Sequence, residues 1–218
     1  MNNESKPLLI HLGCGINVLE GFLNFDNNLF LFFKFIPFSE YFIKIFNFVP
    51  EWFGEFIEVA RQKNIRYCDA SKKIPFKDSS VTLIYSCHML EHLDKEEANV
   101  FFNESYRVLK PEGIMRVVVP DFQKIVDNYN LNKNVDKFIY NSCLVGKKPK
   151  TMIKKIQYLM QGHGWHHQMF NRYSLESLKK LKFSKVELLE PGKTNFNFET
   201  SIDLHERAHE SLYFEFIK

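Results

Sequence analysis

The sequence lacks the features that would place it among disulfide-stabilised, nucleic-acid-binding or exported proteins. Its 218 residues include four cysteines, Cys14, Cys68, Cys87 and Cys143, and no two are spaced as in a zinc site or a redox motif. The formal net charge of +3 is too small to indicate a nucleic-acid partner. Residues 1–7 contain no apolar stretch of the kind that a signal peptide needs. We therefore expect reduced thiols and a cytoplasmic protein.

Long uninterrupted apolar runs are also missing, despite an excess of phenylalanine. Of the 23 phenylalanines, 12 lie in residues 22–56. The segment 29–50 is apolar enough to suggest a membrane span, but three charged residues interrupt it: Lys34, Glu40 and Lys44. Each such charge costs roughly 2.5–3.5 kcal/mol at the centre of a bilayer, which outweighs the apolar gain. The sequence instead predicts a helical, phenylalanine-rich insertion over residues 29–62.

Short apolar runs alternate with helical patterns along the rest of the chain. The runs predicted as strands are residues 8–12, 21–26, 65–69, 81–86, 114–119, 186–189 and 212–217. An amphipathic helix is predicted over 95–109 and ended by residues 110–113, and Ser174 is expected to cap a helix that runs to about Leu181. This alternation indicates an α/β fold with a mostly parallel, Rossmann-like sheet and helices on both faces. No helical pattern separates the last two strands, so we expect them to be antiparallel.

Glycines and acidic residues follow the predicted strands, where ligands of an open parallel sheet bind. Gly13 and Gly15 would let backbone approach a ligand closely, and a helix beginning after them would offer free N–H groups. Asp26 could accept hydrogen bonds from a ribose diol, and Asp69 could accept from an adenine amino group. An NAD site is disfavoured, because Val18 replaces the third glycine of that fingerprint and Asp26 follows Gly15 by only 11 residues.

Several longer segments carry a family resemblance. They are Ile10–Gly15, Asp69 with Ile74–Val81, Ser86–Leu93, Arg107–Gly113 and the tail Glu210–Glu215. Together they resemble the class I S-adenosylmethionine-dependent methyltransferases, and within them the predicted methyltransferases linked to cell-surface polysaccharide synthesis. The sequence departs from that pattern at Asn17 and Glu112, where many relatives have glycine.

The resemblance implies a set of cofactor-binding residues for S-adenosylmethionine: Gly13, Cys14, Gly15, Asp26, Asp69, Ala70 and Ser86. It implies that Gly13, Cys14 and Gly15 lie along the methionine part of the cofactor and that Asp26 binds the ribose. Asp69 and Ala70 would contact adenine, and the backbone of Ser86 would meet the methionine amine. Residues 88–92 would border the transferable methyl group.

Two histidine clusters are candidates for the chemistry of transfer. Residues 88–92 match the H-x-x-E-H pattern of an inverted zinc peptidase, but His88 directly follows a buried strand and is expected in a loop. The peptidase hypothesis also leaves the upstream glycines unexplained. The cluster His163–His167 is interpreted as a polar active-site loop, with a general base or a metal ligand as alternatives. A hydroxyl acceptor needs a base, for which the candidates are His88, His92 and His166, and no metal is predicted.

The chain is predicted to form a single methyltransferase domain in which residues 122–173 are a helical, acceptor-side insertion. The expected acceptor is a small molecule or a glycan, and the alternative is a degenerate fold that acts as a cofactor-binding or partner module. The lysines of residues 147–155 lack interleaved aromatic residues, which disfavours nucleic acid. For residues 29–62 three alternatives stay open: a subdomain that closes over the sheet, a homodimer interface, or contact with a membrane surface or lipid-linked acceptor.

Overall fold

The fold is built on one seven-stranded sheet. A computed structural model describes residues 6–39, 52–145, 149–152, 154–156, 164–178, 182–197, 205 and 207–218. The strands are β1 (Leu9–Leu12), β2 (Leu23–Asp26), β3 (Arg66–Tyr67), β4 (Val81–Cys87), β5 (Leu109–Pro120), β6 (Lys185–Leu189) and β7 (Ser211–Ile217). The helices are α1 (Phe53–Gln62), α2 (Lys95–Val108), α3 (Phe122–Asn132), α4 (Val135–Ser142) and α5 (Leu175–Leu178). Short 3-10 segments occupy Leu29–Phe35, Leu90–His92 and Arg172–Ser174.

The strand order β3-β2-β1-β4-β5-β7-β6 fixes where a ligand can bind. The pairs among β1 to β5 are parallel, whereas β7 runs antiparallel to both β5 and β6. The prediction of a mostly parallel sheet with an antiparallel C-terminal pair is therefore confirmed. The chain winds outward from β1 through β2 and β3, and then resumes on the other side with β4. The carboxyl ends of β1 and β4 thus flank the topological switch point, where such sheets bind ligands.

Helix α2 shows how local sequence and core packing agree. The Asp94 side chain accepts hydrogen bonds from the backbone N–H groups of Glu96 and Glu97, and the Glu97 carboxylate accepts one from the N–H of Asp94. This capping box fixes the start of the helix. One face of the helix is buried, through Ala98, Phe101, Phe102, Ser105 and Val108. Phe101 is fully buried, and covering a side chain of that size stabilises the fold by about 1.5–3 kcal/mol.

The helix predicted over 95–109 is confirmed as Lys95–Val108, but the residues predicted to end it, 110–113, lie within β5 and not before it. Val81 pairs with Leu109 while Leu83 pairs with Ile114, so the extra residues form an irregularity in the ladder. Glu112 has a left-handed backbone, with φ +63°. The strand therefore accommodates a turn-like sequence without ending.

Two helix predictions also need correction. Residues 13–22 form turns and no helix, because the Asn24 side chain bonds both the N–H and the carbonyl oxygen of Leu19 and holds this loop extended. The helix expected to begin at Ser174 is preceded by a 3-10 turn, and Asn171 is the residue whose side chain accepts the N–H groups of Tyr173 and Ser174. Helix α5 is described to Leu178, and residues 179–181 lie outside the described residues.

The described part of the phenylalanine-rich insertion packs against the end of β1. Its buried cluster consists of Cys14, Phe30, Leu31, Phe53, Phe56, Ile57, Ala60 and Ile65. Phe30 and Phe53 are fully buried with ring centroids 5.3 Å apart. Other aromatic rings stay in solvent, such as those of Phe35 and Phe38, while residues 40–51 lie outside the described residues. Within the described ranges, no helix has the length and apolarity needed to cross a bilayer.

A fully buried ion pair joins the antiparallel strands β5 and β7. Arg116 of β5 and Glu215 of β7 face each other in register, with 2.7 Å between Nη1 and Oε1. Arg116 also donates to the carbonyl oxygen of Lys193. Glu215 accepts further hydrogen bonds from the Thr194 hydroxyl and from the backbone and side chain of Asn195. The pair therefore anchors the loop after β6 to the middle of the sheet.

We predict that Arg116→Met lowers the free energy of unfolding by about 3–5 kcal/mol, because it leaves the Glu215 charge buried without a counter-ion. The double variant Arg116→Met/Glu215→Gln should recover much of that loss, since it removes the charge but keeps an acceptor oxygen. Urea unfolding measures both. Lys185→Ala is the control, because it breaks an exposed pair with Glu187 and should cost no more than about 1 kcal/mol. A single variant as stable as this control would contradict the prediction.

Candidate cofactor and acceptor site

A cavity of about 300 Å³ opens at the carboxyl ends of β1 and β2. Its lining comprises Gly15, Ile16, Asp26, Asn28, Trp52, Glu55 and Phe56. The Gly15 N–H donates to Asp26 Oδ2 at 2.8 Å, and the Asn28 N–H donates to Oδ1 at 2.9 Å. Gly15 has φ +52°, and a Cβ atom placed there would meet nothing within 4 Å. The structure therefore brings Gly15 and Asp26 together beside open space, and helix α1 of the insertion provides a wall.

Gly13 and Cys14 are placed differently from Gly15. A Cβ atom on Gly13 would lie 2.7 Å from Cγ of Met89, so the glycine makes room for that side chain rather than for open space. Cys14 is buried in the cluster of the insertion, and burial strongly raises the pKa of its thiol. Cys14 is therefore an unreactive packing residue, whereas Met89 links the end of β1 to the loop after β4.

The remaining predicted cofactor residues do not line this cavity. Asp69 closes its own turn, since Oδ1 accepts from the Ser71 hydroxyl at 2.6 Å and Oδ2 pairs with Lys72 at 2.8 Å. Ala70 is buried in the main core. Ser86 is fully buried at the end of β4, one residue beyond the last pairing with β1 at Tyr85. Their cofactor contacts stay predictions.

A second cavity, of about 680 Å³, lies at the carboxyl ends of β4 and β5. The loop after β4 contributes His88, Glu91 and His92, and His166, Arg207 and Glu210 also border it. His88 follows β4 directly with φ +51°, and its Nε2 lies 2.8 Å from the Ser211 hydroxyl. Residues 90–92 form a single 3-10 turn. The prediction that His88 lies in a loop is confirmed, so this motif does not present its two histidines on one α-helix, as the peptidase hypothesis requires.

The two histidine clusters meet in this second cavity. The backbone N–H groups of His167 and Gln168 donate to the Glu91 carbonyl oxygen, at 2.7 and 3.1 Å. His92 Nδ1 donates to the Trp165 carbonyl oxygen at 3.0 Å, and the His92 and His166 ring centroids are 4.9 Å apart. All three predicted base candidates therefore border one cavity. His163 lies outside the described residues.

Burial sets the protonation states of these groups. The Glu91 side chain is 1% exposed, and burial raises its pKa to about 8. Burial likewise lowers the pKa values of His88 and His166 to about 4. His88 Nδ1 lies 3.4 Å from Glu91 Oε1, and His166 Nε2 lies 4.0 Å from the same atom. Near neutral pH the site therefore holds a protonated carboxyl group beside two neutral imidazoles.

Sequence reasoning missed several residues of both cavities. The resemblance includes Glu91 in a segment that borders the methyl group but implies no role for this residue, and Trp52 and Glu55 belong to an insertion that the resemblance does not cover. Glu210 forms an ion pair with Arg207, and both residues border the second cavity. The available signal for Glu91 is its place in a loop that follows a buried strand, since such loops lie at the ligand-binding edge.

A family model described as a methyltransferase domain matches residues 51–117. The matched span covers less than a third of the chain and runs from just before α1 into β5. A search of curated proteins finds no match to the chain.

Solved structures with similarity to the chain are distant in sequence. A protein of Pyrococcus horikoshii OT3 is 16% identical, with TM-score 0.49 and coverage of 99% of this chain and 84% of that chain. A SAM-dependent methyltransferase of Thermotoga maritima is 16% identical, with TM-score 0.45 and coverage of 98% and 83%. Phosphoethanolamine N-methyltransferase 2 of Haemonchus contortus, in complex with S-adenosyl-L-methionine, is 14% identical, with TM-score 0.45 and coverage of 97% and 48%.

We predict that the free energy of unfolding of the wild-type protein falls between pH 6.5 and 8, and that Glu91→Gln abolishes this fall. The folded-state pKa of Glu91 is raised from 4.5 to about 8, so its stabilising proton is fully held at low pH and is lost as the pH rises towards 8. His88 and His166 act only between about pH 4 and 6.5, where they increase stability as the pH rises.

Urea unfolding in the presence of a chelator measures this effect. The wild-type protein should lose about 2 kcal/mol over that range, at about 1.4 kcal/mol for each pH unit, and the variant should stay nearly constant. Glu20→Gln replaces an exposed glutamate and should keep the wild-type slope. Parallel slopes in wild type and Glu91→Gln would show that Glu91 is ionised in the folded state.

Proposed function

We propose that the protein transfers a methyl group from S-adenosylmethionine to a hydroxyl group of a small molecule or a glycan, such as an acceptor of cell-surface polysaccharide synthesis. The observation that carries the proposal is the pair of cavities at the carboxyl edge of the sheet. The first lies at β1 and β2, and the second at β4 and β5. Met89 belongs to the loop that borders the second cavity, and its side chain packs against Gly13 beside the first cavity.

The first cavity fits the nucleoside part of the cofactor. A carboxylate has about four acceptor positions, and the N–H groups of Gly15 and Asn28 use two of those on Asp26. The others are available to a ribose diol. Trp52 and Phe56 provide an apolar wall, and Gly15 keeps the backbone accessible. The bound cofactor supplies an electrophilic methyl group on a sulfonium, and these residues orient it.

The second cavity suits a polar acceptor. Methyl transfer forms the oxygen–carbon bond as the carbon–sulfur bond breaks, and the hydroxyl proton passes to a base. A neutral imidazole can take that proton, and His88, His92 and His166 are the candidates. Burial keeps His88 and His166 neutral at pH 7. The enclosing loops align the reacting atoms and limit access of water.

We predict that Asp26→Asn weakens binding of S-adenosylmethionine by about 1–3 kcal/mol, or roughly 5- to 150-fold in affinity. The substitution keeps the size of the side chain but replaces one acceptor oxygen of the diol site by a donor. Isothermal titration calorimetry with the purified protein measures the change.

Glu20→Gln is the control for this experiment, because Glu20 is an exposed residue that does not line the cavity. Its affinity should equal that of the wild type. Equal affinity in a folded Asp26→Asn protein would remove the site assignment. No binding by the wild-type protein would favour the alternative, a degenerate fold that acts as a partner module.

A further inference from the structure

Three potential metal-ligating atoms converge in the wall of the second cavity. Glu91, His92 and His166 each offer one such atom, and these atoms lie within 4.8 Å of one another. We propose, against the expectation from the sequence, that these three residues bind a divalent transition-metal ion. The role of that ion in catalysis depends on the proposed methyl transfer, whereas the existence of the site does not.

The state of Glu91 points to a missing ligand. Its side chain is 1% exposed, and neither carboxylate oxygen has a hydrogen-bond partner within the described part of the chain. A buried polar group without a partner is costly, and buried carboxylates in folded proteins are paired or bind metals. A cation in the cavity would bind the carboxylate oxygens of Glu91 that lack hydrogen-bond partners.

The two histidines are held in orientations that suit metal binding. Because a carbonyl oxygen only accepts, the bond from His92 Nδ1 to Trp165 places the ring proton on Nδ1 and the lone pair on Nε2. A backbone carbonyl in this position is a common outer partner of a metal-ligating histidine. The His166 side chain is 8% exposed, and its buried Nδ1 atom makes no hydrogen bond to the described residues.

Backbone contacts fix the separation of the ligands before any ion binds. The His166 N–H donates to the Cys143 carbonyl oxygen at 3.0 Å, and the His167 N–H donates to that of Glu91 at 2.7 Å. His166 Nε2 lies 4.0 Å from Glu91 Oε1. Ligand atoms roughly 2.0–2.2 Å from one ion are about 3–4 Å apart, so only small side-chain rotations are required.

The donor set indicates the class of metal. Two imidazoles and one carboxylate suit Zn²⁺, Mn²⁺ or Fe²⁺, whereas Mg²⁺ and Ca²⁺ prefer oxygen ligands alone. Cys143 also borders the cavity, but burial raises the pKa of its thiol, which disfavours a thiolate ligand. Three protein ligands leave a coordination position open to an acceptor oxygen. An ion there would lower the pKa of a bound hydroxyl and make it a better nucleophile.

Cobalt binding tests the site without any acceptor. Protein stripped with a chelator is titrated with Co²⁺, whose visible absorption reports nitrogen and oxygen coordination, and then with Zn²⁺ as competitor. We expect one ion per chain and displacement of Co²⁺ by Zn²⁺. Glu91→Gln and His166→Ala should each weaken binding at least about 100-fold. His167→Ala is the matched control, since it removes an exposed neighbouring imidazole and keeps the backbone contact to Glu91.

Two results would overturn the inference: no cobalt spectrum from folded wild-type protein at saturating Co²⁺, or equal affinity in Glu91→Gln and wild type. If the variants do not fold, X-ray absorption at the zinc edge of the wild-type protein decides, because two imidazole ligands are expected and none would refute the site. Calorimetry with S-adenosylmethionine, run with and without Zn²⁺, separates the two proposals. Cofactor binding without metal binding refutes only the metal site, and metal binding without cofactor binding refutes only the proposed function.

Discussion

The candidate site depends on how the chain leaves β4. The His88 N–H still bonds the carbonyl oxygen of Val118 in β5, at 2.8 Å, but its left-handed backbone turns the chain away from the sheet. The following 3-10 turn buries Glu91 and exposes its carbonyl oxygen to the N–H groups of His167 and Gln168. Two segments more than 70 residues apart in the sequence are thereby held together, as the bond from His92 to Trp165 also shows. This attachment and the bond from the His166 N–H to the Cys143 carbonyl oxygen together hold the second histidine cluster in place.

The same loop also connects the two cavities. Met89 lies between His88 and the 3-10 turn in sequence, and its side chain occupies the space that Gly13 leaves open. A larger residue at Gly13 would displace Met89 and with it the neighbouring side chains that border the second cavity. The glycine after β1 is therefore needed for packing between loops, whereas Gly15 faces open space and is the position suited to contact with a ligand.

Patterns that depend on local periodicity were predictable from the sequence, and patterns that depend on distant contacts were not. The apolar run of β4 and the amphipathic pattern of α2 are local, and both elements form where the sequence predicts them. The absent helix after Gly15 is decided by the Asn24 side chain, which bonds Leu19 only once β2 is in place. The irregularity in β5 likewise depends on pairing with β4, which no single segment reveals.

The site residues divide in the same way. Position at the end of a strand selected Asp26, and its carboxylate accepts a hydrogen bond from the Gly15 N–H beside the first cavity. The same reasoning selected Asp69, but Ser71 and Lys72 stand two and three residues later and engage its oxygens. Glu91 is part of the H-x-x-E-H pattern in the sequence, but its burial depends on a segment more than 70 residues later that packs against it. A sequence identifies which groups can act, whereas tertiary contacts decide which of them are left with unused bonding capacity.

The two buried glutamates, Glu215 and Glu91, differ in whether their carboxylate oxygens have hydrogen-bond partners. Glu215 is fully buried, and Arg116, Thr194 and Asn195 satisfy both of its oxygens, so it stabilises the sheet and has nothing left to offer a ligand. Glu91 is almost equally buried, and none of the described residues donates a hydrogen bond to its carboxylate. Since an unpartnered buried carboxyl group lowers stability, the position of Glu91 beside two histidines in a cavity is better explained by binding than by folding.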